Sequence, residues 1–497
     1  MDQPAPLPAQ PSLTHAEIRT TIGGVLLAML LAALDQTIVA TAMPTIGHEL
    51  GDMEHLSWVV TAYLLAATAV TPLYGKISDI HGRRVTLLFA IVIFVIGSIA
   101  CALAPSMLAL ILARGLQGLG GGGLISLAQT VIADVVSPRE RTRYQAHIAS
   151  VFGASSVAGP VLGGFFADHL HWSFIFWINV PLGLLAFIIS NRVLKKLPRY
   201  ERRHKLDILG ALLMTSASIT LMLALNWGGV RFPWGSAPVL GMFGVSALFW
   251  LMFVLRLRSA PEPLIPGVIL SNQVVAMGTI AACFGMGVFI GLTIYMPIYF
   301  QAVHGLSASH AGLALIPLMA GTVTGATLSG RIMAHFRHYK RLPMLGICLS
   351  ISILSLLAYM PKDLSLVQVS FLLGLSSLGL GTVLPVTTIC IQNAVMQHQM
   401  GTATGTMNFF RQLGGAMIVA AFGAIVLSSL PPEATGAGVS MEMLASLVKA
   451  AGADLTDTFR WVFAASACGM SVTLLALIVM QERPLRTELS IDRVAGE

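Results

Sequence analysis

Long apolar runs alternate with short polar or basic stretches along this chain, and the spacing of the breaks predicts its elements. A helix that crosses the hydrocarbon core of a bilayer needs roughly 20 mainly apolar residues. Runs of that kind recur at 22–46, 57–75, 85–104, 107–133, 145–166, 172–191, 208–226, 236–255, 274–300, 311–330, 343–360, 365–388, 404–428 and 461–480. They predict fourteen membrane-spanning helices and hence an all-α polytopic membrane protein.

The basic residues test that count, because Lys and Arg collect in cytoplasmic loops. With the N-terminus placed in the cytoplasm, twenty-three of them fall in inside segments, among them Lys76, Arg83, Arg84, Arg139, Arg141 and the run over 192–205. Four fall outside: Arg231, Lys362, Lys449 and Arg460. Removing one helix would invert every later loop and destroy the asymmetry, so both termini are expected in the cytoplasm.

Composition supports the same picture. Hydrophobic residues make up 56% of the chain and charged residues 10%, against roughly 25% charged in a soluble domain. That is too little charge to coat a water-exposed surface of this size. The net charge of +7 is accounted for by the inside loops, so nucleic acid is not an expected partner. Cys101, Cys283, Cys348, Cys390 and Cys468 all lie in apolar runs, which argues against a disulfide framework. The opening MDQPAPLPAQPSLTHAE has no apolar core of a signal peptide and reads as a polar tail.

Residues 114–136 resemble 373–395 at an offset of 259: Gly115, Leu116, Leu119, Gly120, Gly122, Ile132 and Val136 recur as Gly374, Leu375, Leu378, Gly379, Gly381, Ile391 and Val395. The match sets the fourth span opposite the twelfth. It divides the chain into a tail (1–21), a six-helix bundle (22–191), a basic linker with two additional helices (192–273), a second six-helix bundle (274–480) and a tail (481–497). Repeated halves that enclose a site near the midplane are a common plan of secondary transporters. Residues 429–460 form the longest outside loop, with a short helix expected around Met441–Ala450.

Three formal charges lie inside the predicted spans: Asp35, Arg114 and Arg411. Each costs at least ~2.5–3.5 kcal/mol at membrane depth and so needs a reason. Asp35 falls about two turns before Met43-Pro44, where the first helix is expected to close, and Arg114 falls at a similar depth in the fourth. Such a pair either holds two helices together or exchanges a proton. Burial disfavours a charged carboxylate and a nearby cation favours it, so a conformational change that alters either balance moves a proton. Arg411, next to Gln412, Gly414 and Gly415, reads as a close-packed or gating residue, with substrate contact as the alternative. Gln117, Phe289, Tyr295 and Phe409 are the other candidates for a substrate cavity. With Asp35 as the one carboxylate inside the spans, that cavity is expected to favour lipophilic monovalent cations and neutral amphiphiles over dications.

The segment GKISDIHGRRVTL (75–87) joins the second and third spans on the inside face. Gly75 and Gly82 allow a tight turn, and Asp79 is free to face a helix N-terminus or Arg141. Gly118, Gly122 and Ser126, like Ser155, Gly159 and Gly163, recur every four residues and make small-residue ridges for helix packing. LGGGG at 119–123 lacks the Lys-Ser/Thr of a phosphate loop. No nucleophile triad and no metal-ligand spacing is present, so neither catalysis nor a cofactor is expected.

Together these stretches resemble the major facilitator superfamily, in its fourteen-helix drug:proton antiporter branch. LDQTIVATAMP (34–44) is similar to that branch's first-helix signature, GKISDIHGRR to the superfamily's loop motif and RGLQGLGGG (114–122) to its fourth-helix motif. GASSVAGPVLGG (153–164) is similar to the antiporter motif of the fifth helix, and WSFIFWINVPLG, YFQAVHGLSASHAGLALIP and FFRQLGG complete the set. The sequence departs from the pattern at Ala40, where Asn is frequent, at Ile80, where a basic residue is usual, and in the second loop-motif copy GRIMAHFRHYKR (330–341), which has no acid.

The resemblance implies two six-helix bundles plus two central helices. It also implies a monomeric antiporter in the bacterial inner membrane that exports small amphipathic compounds by alternating access, with the proton gradient as its energy source. It makes Asp35 the proton-linked carboxylate and Arg114 its fourth-helix arginine. Gly75, Asp79, Gly82, Arg83 and Arg84 become the cytoplasmic gating loop, and Gly153, Gly159, Pro160, Gly163 and Gly164 the antiporter bend. A dedicated exporter of one metabolite, siderophore or lipid-like compound is the alternative. A receptor or scaffold would need no midplane Asp–Arg pair. Whether a periplasmic adaptor takes part is left undecided by the sequence.

Overall fold

The computed structural model describes residues 14–52, 55–196, 206–335, 338–360, 364–428 and 456–486. Among these, fourteen helical segments are long and apolar enough to cross a membrane, the sixth (Phe174–Val193) and tenth (His310–Ala334) only together with a short preceding helix. They are α1 (His15–Leu50), α2 (Trp58–His81), α3 (Arg83–Ala102), α4 (Met107–Val135), α5 (Pro138–His169), α6 (Asn179–Val193), α7 (Ile208–Trp227), α8 (Ala237–Ser259), α9 (Gln273–His304), α10 (Ile316–His335), α11 (Arg341–Tyr359), α12 (Leu366–Ala394), α13 (Met400–Leu427) and α14 (Thr456–Val479). Short helical turns at Phe174–Trp177 and Ala308–Leu313 lead into α6 and α10. The helix expected at 441–450 lies outside the described residues, as do residues 197–205 of the basic linker.

Local chemistry sets several ends. Thr14 and Glu17 form a capping box at the start of α1, and Gly51 closes it in the left-handed region at φ 71. Ser365 and Gln368 cap α12 in the same way. Contrary to expectation, α1 does not close at Met43-Pro44: Pro44 sits inside it and the helix runs on to Leu50. Asp35 therefore lies about four turns, or ~22 Å, from that end rather than two. The joint between α2 and α3 is the single residue Gly82, at φ 90, so Gly75 belongs to α2 and not to a loop.

Within residues 15–193, α1 packs on α4, α5 and α6, α2 on α4, and α3 on α4 and α6. Every one of these pairings recurs from α9 to α14, with α9 in the place of α1 and α12 in the place of α4. The glycine match between 114–136 and 373–395 has the same cause. Gly120 leaves no room for a Cβ beside Ala90 and Phe94 of α3, and Gly379 none beside Gly346 and Ser350 of α11. Gly122 presses on Ala67 of α2 and Gly381 on Thr322 of α10. The α7–α8 pair stands outside this repeat, and α7 packs on α2 and α13.

The two sets of helices meet along α2–α13 and α5–α10. Large apolar side chains such as Phe89, Ile96, Leu112, Leu212, Leu255, Leu345 and Phe371 stay exposed on the outer surface, as expected where the surrounding solvent is hydrocarbon.

Candidate functional site

The polar centre of the first half is built by five helices around Asp35. Its carboxylate accepts hydrogen bonds from Arg114 Nη1 at 2.7 Å, Gln117 Nε2 at 2.8 Å and Asn179 Nδ2 at 3.1 Å. The Ser98 hydroxyl of α3 accepts from Gln117 at 2.6 Å and Asn179 at 3.2 Å. Arg114 also donates through Nε to the Val59 carbonyl of α2 at 3.0 Å, and its guanidinium lies 4.3 Å from the centre of the Tyr63 ring. Asp35 is 0% exposed and Arg114 1%. Removing two charges from water is costly, and the cost is offset only when their remaining lone pairs and protons find partners. Here the two charges bond each other, and the Gln117 and Asn179 amides and the Val59 carbonyl supply the rest.

Sequence reasoning placed Asp35 and Arg114 together but missed Ser98, Asn179 and Tyr63. Asn179 was legible as an amide within an apolar run, and it is the first residue of α6, directly after the break at Ile178. Gln117, expected to line a substrate cavity, is instead 0% exposed inside this network. Chemically, the arrangement holds one titratable carboxylate against one fixed cation, with donors from separate helices that must shift when the carboxylate gains a proton.

A second cluster lies at the basic side of the molecule. Asp79 accepts from the backbone N–H groups of Gly401 at 3.0 Å and Thr402 at 2.7 Å, and from the Thr402 hydroxyl at 2.6 Å. A carboxylate from α2 thus caps the start of α13, where free N–H groups and the helix dipole favour negative charge. Arg83 bridges Asp79 at 2.5 Å and Asp134 of α4 at 2.7 Å, and donates to Ser78 Oγ at 2.7 Å. Gly75 fits against the backbone of Gly401 with no room for a Cβ. Arg84 points elsewhere, to Asn191 of α6 at 2.6 Å.

Arg141 does not meet Asp79. It donates to Gln392 of α12 at 2.9 Å and to the carbonyls of Ala133 and Val136 at 2.7 and 3.1 Å. Above it, Asn408 donates to Gln129 at 2.8 Å, and Thr68 to Gln412 at 2.9 Å. Arg139 reaches the Ala334 carbonyl at 3.1 Å. These bonds tie the two halves together from the basic side up to about the middle of α13. Asp134, Gln392 and Thr402 were absent from the sequence-based site because each is polar only in a local, unremarkable way.

The small residues of α5 serve α1. Gly159 sits against Thr37 and Gly163 against Thr41 and Ile38, and Thr37 donates to the Ser155 carbonyl at 2.9 Å. Gly153 instead faces Val323 of α10, Gly164 has open space, and Pro160 lies on the exposed side of the helix.

Two more cavity candidates are corrected. Phe409 is fully buried beside Trp250 of α8, at 6.2 Å between ring centres, because its side of α13 turns to the α7–α8 pair. Tyr295 is buried against Phe422, at 6.1 Å. Phe289 and Arg411 remain half-buried. Arg411 lies eleven residues into α13, about 16 Å and three turns from its start.

A model of the Major Facilitator Superfamily matches residues 25–419. The chain is 35% identical over 413 residues to multidrug resistance protein 3 of Bacillus subtilis (strain 168), covering 83% of this chain and 80% of that protein. It is 32% identical to the multidrug transporter protein MdtP of the same organism, covering 82% and 74%, and 30% identical to the efflux pump aunC of Aspergillus niger (strain ATCC 1015), covering 97% and 95%. Among solved structures it is similar to the human organic anion transporter MFSD10, with a TM-score of 0.64, 16% identity and 93% and 99% of the two chains covered. That likeness concerns the fold alone.

Proposed function

Since this chain belongs to the Major Facilitator Superfamily, we propose that it is a proton-coupled antiporter that exports amphipathic compounds across a bacterial inner membrane by alternating access. The observation that carries the reading is the sealed Asp35–Arg114 pair, with its cation at 2.7 Å and its other donors, Gln117 and Asn179, on α4 and α6. Relatives named as a multidrug resistance protein and an efflux pump support the export direction.

The basic side is assigned to the cytoplasm, following the positive-inside rule. The conformation described is then closed toward the cytoplasm by Asp79, Arg83, Arg139 and Arg141. A proton arriving at Asp35 neutralises the carboxylate and removes the ion pair with Arg114. The freed guanidinium keeps Gln117 and the Val59 carbonyl. The α1–α5 unit, joined at Thr37 and Ser155, then shifts relative to α4, which the α5–α10 contact transmits to the second half. Opening toward the cytoplasm breaks the Asp79 cap on α13 and lets the proton leave as substrate enters.

The test is gradient-driven transport of a fluorescent amphiphile by the purified full-length protein in proteoliposomes. Asp35→Asn keeps the size of the side chain while removing its titratable proton. The expected result is loss of transport against the amphiphile gradient, with folding intact by thermal melting. Uphill transport by Asp35→Asn under an imposed pH gradient would show that another group carries the proton.

A further inference from the structure

Of the three formal charges expected inside the spans, two are spent on each other and one is not. Arg411 has no hydrogen bond, ion pair or ring contact among the described residues, and no carboxylate approaches it. It is half-buried at about mid-length of α13. An unpaired cation at that depth is expensive and is kept where it serves a ligand or an ion path.

Its direction follows from its neighbours along α13. Gly414 and Ile418 pack on Gly287 of α9, and Gln412 bonds Thr68 of α2. Phe409 and Leu413 turn to the α7–α8 pair. Thr404 and Asn408 turn inward, to Gln392 of α12 and Gln129 of α4, and Gly415 meets Ile290 of α9. Arg411 shares the face of Thr404, Asn408 and Gly415, between α2 and α9, and so faces the space between the halves. The closed polar layer of Gln129, Gln392, Thr404 and Asn408 lies one to two turns below it.

Opposite stands an apolar wall. On α9, Cys283, Gly287 and Gly291 turn to α13, while Gly278 and Gly285 turn to α12. Phe289 and Ile290 fall between those faces, and both are half-buried. One cation, neutral amides and an apolar surface therefore surround this space, and Asp35, the expected counter-charge for cationic cargo, is sealed away at 0% exposure.

We propose that Arg411 is an anion anchor that makes amphipathic monoanions, carboxylates above all, the preferred cargo of this cavity. The guanidinium fork matches a carboxylate in a bidentate geometry, whereas a quaternary amine meets only repulsion there. The apolar body packs on Phe289 and Ile290. This rests on the export reading above, and it replaces the cation preference expected from Asp35.

The experiment compares binding of three fluorescent probes with one naphthyl-alkyl body and different heads: a carboxylate, its neutral primary amide and a trimethylammonium. Full-length protein in detergent is used, with proteoliposome transport of the same probes measured in parallel. The carboxylate is expected to bind about ten- to a hundredfold more tightly than the amide. Arg411→Gln removes that ratio while amide binding and melting temperature hold, Arg411→Lys retains part of it, and Arg411→Glu reverses it in favour of the ammonium. Equal binding of carboxylate and amide by the unaltered protein overturns the proposal without recourse to any variant. So does a ratio unchanged in both Arg411→Gln and Arg411→Glu. If the carboxylate ratio holds but no probe is transported, the export reading fails and the anion site stands. If the amide is exported and the ratio is absent, the reverse is true.

Discussion

The two halves share a packing plan and differ in chemistry. The glycines at 120 and 379 let α4 and α12 touch α3 and α11 in the same way, and those at 122 and 381 do so for α2 and α10. On that common frame, Arg114 and Gln117 of α4 correspond, at the same offset, to Leu373 and Ser376 of α12. The first half concentrates one carboxylate, one cation, two amides and a hydroxyl in a sealed cluster. The second half places on α13 one cation, Arg411, with no hydrogen-bond or charge partner among the described residues. Packing between helix backbones tolerates few alternatives, since any added Cβ would collide. Side chains that point inward are free to diverge, so the two halves can carry different charge arrangements on one frame.

The strongest way to break this contrast is to remove the cation of the sealed cluster. Arg114→Ala leaves the Asp35 carboxylate buried with only neutral donors, which is expected to cost about 3–5 kcal/mol. Arg114→Gln combined with Asp35→Asn removes both charges and is expected to recover most of the loss, as measured by thermal unfolding in detergent. An Arg114→Ala protein as stable as the unaltered one would mean that the pair contributes nothing to the fold.

The shared frame is tested by Gly120→Val and Gly379→Val. Each forces a branched side chain into a helix contact that has no space for a Cβ, and overpacking costs about 1–3 kcal/mol or more. The two losses are expected to be similar, since both glycines press on the equivalent neighbouring helix. A large effect at Gly120 with none at Gly379 would show that the frames are not equivalent.

How much of this was legible beforehand divides along the same line. The fourteen spans, the repeat offset and the Asp35–Arg114 pair could be read from apolar run length, glycine recurrence and the rarity of membrane charge. Those signals are physical necessities of a bilayer and need no partner information. Ser98 became a functional candidate only through contacts between helices distant in sequence, and nothing in its local sequence distinguishes it; Asn179 stood out as an amide in an apolar run, but its partner Asp35 lies 144 residues away. Phe409 misled because an aromatic two residues from a charge looks like a cavity wall, while two residues on a helix turn the side chain by about 200°. Here that rotation sends Phe409 to the α7–α8 pair. Gln117 misled in the opposite way: its place near Arg114 was visible, but not that the pair would need its amide.

The Asp79 cap separates the conformations rather than the halves. Asp79→Asn weakens both the ion pair with Arg83 and the interaction with the start of α13, a loss of about 1–2 kcal/mol. That corresponds to roughly a five- to thirtyfold larger population open toward the basic side. The measurement is the reaction rate of a cysteine at Thr404, in a background with the five native cysteines replaced by alanine, toward an impermeant thiol reagent applied from that side. An unchanged rate would remove Asp79 from the gate.

The smallest expected effect is also the most discriminating one. Asn179→Ala removes one of three side chains that donate to Asp35, at 3.1 Å the longest of the three bonds, and one of two that donate to Ser98. Arg114 and Gln117 stay in place, so the cost is about 1 kcal/mol, the net value of one intramolecular hydrogen bond. Ser376→Ala, at the counterpart of Gln117, is expected to cost about 0.5 kcal/mol or less, because Ser376 contributes only its backbone carbonyl, which accepts from Ser350 Oγ at 2.6 Å. Gradient-driven export should slow severalfold in Asn179→Ala and stay unchanged in Ser376→Ala, with both proteins present in the membrane at normal levels. Neither stability nor level explains such a split, since both variants fold. It would have to come from the donors that shift as Asp35 gains and loses its proton. Equal export rates in the two variants would place Asn179 in the scaffold, and the proton-handling cluster would shrink to Asp35, Arg114 and Gln117.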